Sequence, residues 1–289
     1  MKLNFVIIGT EKAGTSYLVK ILNSSGKIYL PKSEISIFQN PDFKKCSNIK
    51  KYFLSIFPKK NKNLILGIKR PNYAHLKEVP NRLYQYNKNL KIILCIREPI
   101  KRFISHYLHH IAYGYITSKK INANMIKLLN KDKVFLKNNP RAKDITNGML
   151  YYKNYLRYRN LFSKKNILIL NQNEMREKKT FKKLSKFLGI SLKYTAKIKS
   201  NVGRYDYFSI FLHRKMIDLR FNRNQNKKKL KSDISFFDKI LFYFLRILSK
   251  ITILKGKKIE INDSVIKKIH MEYNNEYLKI QRININQTI

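Results

Sequence analysis

Gly9, Lys12, Gly14, Thr15 and Ser16 fall within one stretch, IIGTEKAGTSYL over Ile7–Leu18. An apolar strand running into a glycine-containing loop and out into a helix is a general anion site, because the first N–H groups of a helix lack intrahelical acceptors. In the nucleotide loop G-x-x-x-x-G-K-[ST] the lysine follows the second glycine. Here Gly9 and Gly14 keep that separation and Ser16 closes the motif, but the lysine stands inside the loop at Lys12. The expected ligand carries phosphate or sulfate. Three later segments carry side chains that could work beside such a group: Glu34 in PKSEISIF, Lys69 in LGIKRPNY, and Arg97 with Ser105 in CIREPIKRFISHY. A carboxylate can take a proton, a lysine can neutralise charge as a bond breaks, and an arginine fork pairs with phosphate oxygens.

Elements able to hold these residues are legible in the apolar pattern. Runs at 4–8, 27–30, 64–68, 91–96 and 166–170 read as strands, the last two apolar enough to be parallel strands buried on both faces. Helical spacing fills 14–23, 76–87, 99–113, 148–162 and 180–188. The alternation predicts an α/β three-layer sandwich with a central parallel sheet of five strands, binding its ligand beyond the carboxyl ends of the strands. In the helix after Pro99, residues Ile100, Phe103, Ile104, Tyr107, Leu108 and Ile111 define the core face. Lys101, Arg102, Ser105, His106 and His109 fall off it and are expected to meet solvent or ligand.

From residue 204 the pattern turns to long helical segments, with a basic linker at 222–231 and an amphipathic stretch at 236–254. Four charges in that stretch oppose burial in lipid, so it is read as a helix packed on the domain, with contact to a membrane surface as the alternative. A last helix is expected over 263–283, with Asp263 or Ser264 as N-cap. The organisation expected is one domain over 1–289, a cofactor-binding core at 1–203 and a helical extension at 204–289.

The chain has 289 residues, 44% of them hydrophobic, which excludes a disordered tail. Its 62 Lys+Arg against 17 Asp+Glu give a formal charge of +45, a surface that attracts polyanions without naming one. Abundant Lys, Asn and Ile together match AT-rich coding bias, so much of this charge needs no functional reason. Cys46 and Cys95 make no disulfide framework, Cys95 reads as a buried thiol, and no metal-ligand spacing is present. A strand beginning about three residues from Met1 leaves no room for a signal peptide, which predicts a cytoplasmic protein, peripheral to a membrane if 236–254 reaches one.

Taken in order, the segments resemble the sulfotransferases that use 3′-phosphoadenosine 5′-phosphosulfate (PAPS), most closely the heparan sulfate type and its bacterial relatives. IIGTEKAGTSYL is similar to their 5′-phosphosulfate loop, and Arg97, Pro99, Arg102, Ser105 and Tyr107 match their R-x-P-x-x-R-x-x-S-x-Y signature for the 3′-phosphate. Glu34-Ile35-Ser36-Ile37-Phe38 resembles E-[IV]-x-x-F, and Lys69-Arg70-Pro71-Asn72-Tyr73 resembles K-[ST]-x-x-Y with an arginine where the pattern has a small residue. NILILNQNEM with FLGI at 187–190 looks like the family's fifth strand and following helix.

The resemblance implies PAPS as donor, no metal, and sulfonate transfer to a hydroxyl or amine of an acceptor, a carbohydrate such as a glycan or glycolipid. It further implies Glu34 as base, Lys12 at the leaving group and Lys69 bridging sulfonate and acceptor. Lys12, Ala13, Gly14, Thr15, Ser16 and Tyr17 would line the donor, Arg97 and Ser105 would hold the 3′-phosphate, and Arg204 would lie in a closing loop. His75 is the spare candidate for a base; the other histidines read as partly exposed structural residues. Two readings compete. A P-loop kinase would want lysine directly after Gly14 and an aspartate for Mg²⁺, where this chain has Thr15 and Arg97. A non-catalytic basic protein would bind nucleic acid or acidic lipid through charge alone, with no use for the ordered motifs.

Overall fold

The computed structural model describes residues 2–40, 49–57, 64–194, 206–222, 227–228, 236–248 and 257–287. Arg204, Cys46 and most of the basic linker lie outside them. The chain forms two compact units, one of Met1–Arg102, Asn147–Asn201 and His270–Ile289, the other of Phe103–Thr146 and Val202–Ile269.

The first unit is built on five parallel strands: β1 (Phe5–Gly9), β2 (Ile28–Tyr29), β3 (Ile65–Lys69), β4 (Lys91–Ile96) and β5 (Ile167–Asn171), in the order β2-β3-β1-β4-β5. All five expected strands are present, each within about two residues of its predicted span. Residues of β1 alternate between two apolar layers, because successive strand side chains point to opposite faces. Val6 and Ile8 join Ile68, Ile92, Leu94 and Ile169 in one layer; Phe5 and Ile7 join Ile93, Cys95, Leu168 and Leu170 in the other. Helices α1 (Thr15–Asn23) and α9 (Lys178–Leu188) cover the second layer through Leu18, Ile21, Phe181 and Leu184. The first is covered by α2 (Ile49–Ile56), α3 (Val79–Tyr86), α8 (Tyr151–Arg159) and the C-terminal part of α12 (Asp263–Asn286). This is the expected three-layer sandwich. Burial of Cys95 pushes its thiol pKa up, as an inert core cysteine requires.

Helix α12 closes the first unit through polar contacts that its sequence does not announce. Glu276 accepts from the N–H groups of Tyr152 and Lys153 at 2.9 and 3.1 Å, capping α8 from another element. The Gln287 amide donates to the Ile167 carbonyl at 2.8 Å and accepts from the Ile169 N–H at 3.0 Å, so a side chain pairs the outer backbone edge of β5.

In the second unit, α4 (Pro99–Ala112) continues past its first turn, followed by α5 (Ile121–Leu129), α6 (Lys133–Asn138), α7 (Lys143–Asn147), α10 (Tyr207–Arg220) and α11 (Phe236–Leu248). None of α5, α6 and α7 was expected; they are short, and α6 is set by a local cap in which Asp132 accepts from the Phe135 N–H at 2.6 Å. A two-residue antiparallel pair, β6 (Phe221–Asn222) with β7 (Lys227–Lys228), stands where only helix and linker were expected. Phe237, Tyr243 and Phe244 on α11 are exposed, so that helix is less covered than a packed one would be. Among the described residues no helix is long and apolar enough to cross a membrane.

Gly9 is the residue that lets β1 turn into the loop. It has φ +138°, and a Cβ there would collide with the Pro71 carbonyl oxygen. Gly26 also has positive φ, but its Cβ would meet nothing within 4 Å. Gly9→Ala is therefore expected to lower stability by about 2–4 kcal/mol and Gly26→Ala by only about 1 kcal/mol, read from urea denaturation midpoints.

Candidate active site

The loop of residues 10–14 leaves β1 beside the end of β4, and the chain departs from these neighbouring strands in opposite directions across the sheet. Such a switch point opens a crevice at the carboxyl ends of the strands. Helix α1 begins there with Gly14 as N-cap at φ +85°, with no side-chain cap and no acidic residue in its first turn. Its positive end therefore has no carboxylate of its own first turn to offset it. Helix α4 shows the contrast: the Glu98 carboxylate accepts from the N–H groups of Ile100 and Lys101 at 2.9 and 2.8 Å and closes that end.

The loop is tethered through its carbonyls. Arg97, at the end of β4, donates through Nη1 to the Lys12 carbonyl at 3.0 Å. Arg102, 1% exposed, donates through Nε to the Glu11 carbonyl at 3.0 Å and to Thr10 Oγ1 at 3.2 Å. Thr10 in turn bonds the Cys95 carbonyl through its N–H at 2.8 Å and its hydroxyl at 3.1 Å. In a trans peptide the N–H points opposite to the C=O. Drawing the Glu11 carbonyl onto Arg102 turns the following Lys12 N–H away from that arginine, while the Ala13 N–H bonds the Thr10 carbonyl at 3.3 Å. Lys12 adopts φ +62°, a left-handed conformation that non-glycine residues hold only where the surroundings impose it.

Arg102 was expected at solvent or ligand and is instead buried beneath the loop. Burial pulls its pKa below the ordinary arginine value, opposed by the neighbouring Tyr151 and Glu11; the guanidinium stays charged regardless. Tyr151, itself pushed up to about 12 by burial, donates to the Arg97 carbonyl at 2.7 Å and fixes the strand end from which Arg97 projects. Sequence spacing alone put Arg102 off the apolar face of α4; only the loop folding onto that helix end shows what it bonds. His106 is corrected in the same way: it is buried, with Nε2 at 3.1 Å from Nε2 of His110 one turn on, so neither is partly exposed. His75 is buried as well, and its carbonyl accepts from Arg157 at 3.1 Å.

Glu34 and Lys69, which the resemblance names as base and bridge, are brought together. The Ile35 N–H bonds the Lys69 carbonyl at 3.1 Å, laying the 34–35 segment along the end of β3. Lys69 Nζ stands 3.0 Å from Glu34 Oε1 and 3.4 Å from Ser16 Oγ, which ties the carboxylate to the first turn of α1. Arg70 Nη1 bonds Glu34 Oε2 at 2.9 Å, a contact unforeseen from the motif. Tyr73 locks the scaffold below, donating to the Ile35 carbonyl at 2.6 Å and accepting from the Phe38 N–H at 3.0 Å. Of the donor-site candidates, Ser16 is exposed, while Lys12 and Gly14 are half-buried. Ala13, Thr15 and Tyr17 are buried, the Tyr17 ring packing in the layer under α1. Ser105 is half-buried on α4, in the second unit.

Residues 3–242 match the sulfotransferase domain family. Heparan sulfate glucosamine 3-O-sulfotransferase 5 of Mus musculus is 34% identical over 102 residues, 35% of this chain and 29% of its own length. The membrane-associated sulfotransferase kil1 of Dictyostelium discoideum is 33% identical over 118 residues, 40% of this chain and 24% of its own. The aligned segments thus span less than a third of these relatives. A sulfotransferase from Alicyclobacillus acidocaldarius shares the fold at TM-score 0.57 and 19% identity, covering 80% of this chain and 98% of that one. The expected cytoplasmic location is corrected by this kinship, since the matched relatives are named for heparan sulfate or for membrane association. With its five-stranded parallel sheet and its loop between β1 and α1, the chain belongs to the sulfotransferase domain family.

Proposed function

We propose that this chain transfers a sulfonate group from PAPS to a hydroxyl or amine of an acceptor, a carbohydrate such as a glycan. The observation that carries the reading is the line Glu34–Lys69–Ser16, which joins a carboxylate to the uncapped start of α1 through contacts of 3.0 and 3.4 Å. A proton acceptor and an anion-binding helix end thereby stand side by side, as in-line transfer from an anionic donor to a protonated nucleophile requires.

In this reading the acceptor oxygen or nitrogen attacks sulfur, its proton passes to Glu34, and the bond from sulfur to the 5′-phosphate oxygen breaks. Lys12 neutralises the charge that grows on that leaving oxygen, helped by the Thr15 and Ser16 hydroxyls and the loop N–H groups. Lys69, already between Glu34 and Ser16, holds the sulfonate as it moves. The donor loop suits such a ligand on this structure's own terms, because α1 has neither a capping side chain nor an acid in its first turn. Arg97 holds the 3′-phosphate, and Ser105 is the second ligand implied by the signature. The heparan sulfate named for the mouse relative makes a glycan the acceptor of first choice.

Calorimetry without Mg²⁺ tests the donor site: tight binding of 3′,5′-adenosine bisphosphate is expected, and Mg²⁺-dependent ATP binding in its place would sink the assignment. Glu34→Gln should keep that affinity while lowering transfer about 10²- to 10⁴-fold, measured with labelled PAPS; unchanged transfer removes Glu34 as base. Arg97→Ala should weaken 3′,5′-adenosine bisphosphate by roughly tenfold to a hundredfold and erase its preference over 5′-AMP. Equal loss for both nucleotides would mean that Arg97 acts only through the loop.

A further inference from the structure

Resting on that reading, the geometry points to Arg70 as a positioning residue that holds Glu34 in the orientation needed to take the acceptor proton. Arg70 departs from the K-[ST]-x-x-Y pattern that the segment otherwise resembles, and the structure gives that departure a contact. Its Nη1 bonds Glu34 Oε2 at 2.9 Å, while Lys69 holds Oε1 at 3.0 Å. Each carboxylate oxygen therefore has its own cation, and the plane of the group is fixed. Glu34 needs this, because its side chain is 34% exposed and an exposed glutamate would otherwise sample many rotamers.

Arg70 is itself held at both ends. Its backbone N–H bonds the Ile7 carbonyl at 3.0 Å, extending the pairing of β3 with β1 by one residue. Its Nε donates to Gln39 Oε1 at 2.9 Å, and Gln39 closes the turn Ile37–Gln39, whose Phe38 N–H is bonded by Tyr73. The guanidinium thus joins three neighbouring segments: the end of β3, the segment carrying Glu34, and the turn that follows it. A lysine at 70 would keep the charge, but its single nitrogen could not bond Gln39 and Glu34 with the geometry of the fork. Among the described residues the Arg70 side chain bonds Glu34 and Gln39 and not the loop at 10–14, so its effect should fall on turnover and not on donor affinity.

The test compares full-length wild type with Arg70→Ser, Arg70→Lys, Glu34→Gln and the Arg70→Ser/Glu34→Gln double variant. Two probes are used with labelled PAPS: sulfonate transfer to heparan sulfate, and release of sulfate to water without acceptor. Donor affinity is followed in parallel with 3′,5′-adenosine bisphosphate. Arg70→Ser should lower kcat roughly tenfold to a hundredfold with nucleotide affinity and acceptor KM within about twofold of wild type, since a base misplaced by about an ångström loses rates of that order. Arg70→Lys should recover part of the loss, and the double variant should be no slower than Glu34→Gln. A wild-type kcat in Arg70→Ser, or losses that multiply in the double variant, would overturn the role. If Arg70→Ser fails to bind nucleotide, Gln39→Leu, which removes only the brace, carries the test with the same two outcomes for kcat. A wild type that turns over neither probe, or a Glu34→Gln variant with full activity, rejects the transfer reading beneath the proposal and is distinguishable from a failure of Arg70 alone.

Discussion

The loop between β1 and α1 has its shape because two arginines bond its carbonyl oxygens, and the rest of the site is arranged around that tether. Arg97 takes the Lys12 carbonyl and Arg102 the Glu11 carbonyl, while Thr10 is pinned to Cys95 at the centre of the sheet. A charge as deeply buried as Arg102 is tolerable only where its donors are engaged, and here its Nε is shared between the Glu11 carbonyl and Thr10 Oγ1 of the loop. A loop tethered in this way is set in shape by its own protein contacts, before any ligand is present.

A second cluster, on the other side of β1, follows the same logic with different chemistry. Glu34 is set by backbone pairing of Ile35 to the end of β3, by Lys69, and by Arg70 braced on Gln39. Because β3 and β4 flank β1, the anion loop has a carboxylate-bearing segment on one side and an arginine on the other. The strand order thus makes neighbours of residues far apart in the chain, as where Arg97 bonds the Lys12 carbonyl across 85 positions and Lys69 reaches Ser16 across 53.

The two helix ends nearest the crevice show why an anion would enter at α1 and not at α4. Both begin beyond the carboxyl end of a sheet strand, but Glu98 satisfies the first amides of α4, whereas Gly14 has no side chain to offer α1. Helix dipoles are equivalent in kind; the cap decides which is available.

Local pattern was enough for the five strands, for the helices α1, α3, α8 and α9 that flank them and for the glycine loop after β1, because apolar periodicity and glycine placement survive without tertiary context; α2 was not legible in it. The sequence also singled out Glu34, Lys69 and Arg97 as candidates, since their residue types and order along the chain carry the resemblance. It did not reveal the short helices of the second unit, whose caps are brief and whose apolar faces are too short to show a period. It misplaced Arg102 and His106, because a helix wheel reports which face is apolar and not what a neighbouring loop or a paired side chain will cover. The capping of α8 by Glu276, the sealing of β5 by Gln287 and the grip of Arg70 on Glu34 were decided by tertiary structure alone. Each is a hydrogen bond between segments far apart in the chain, and the identity of such a partner is set by the packing of the sheet and not by any local pattern.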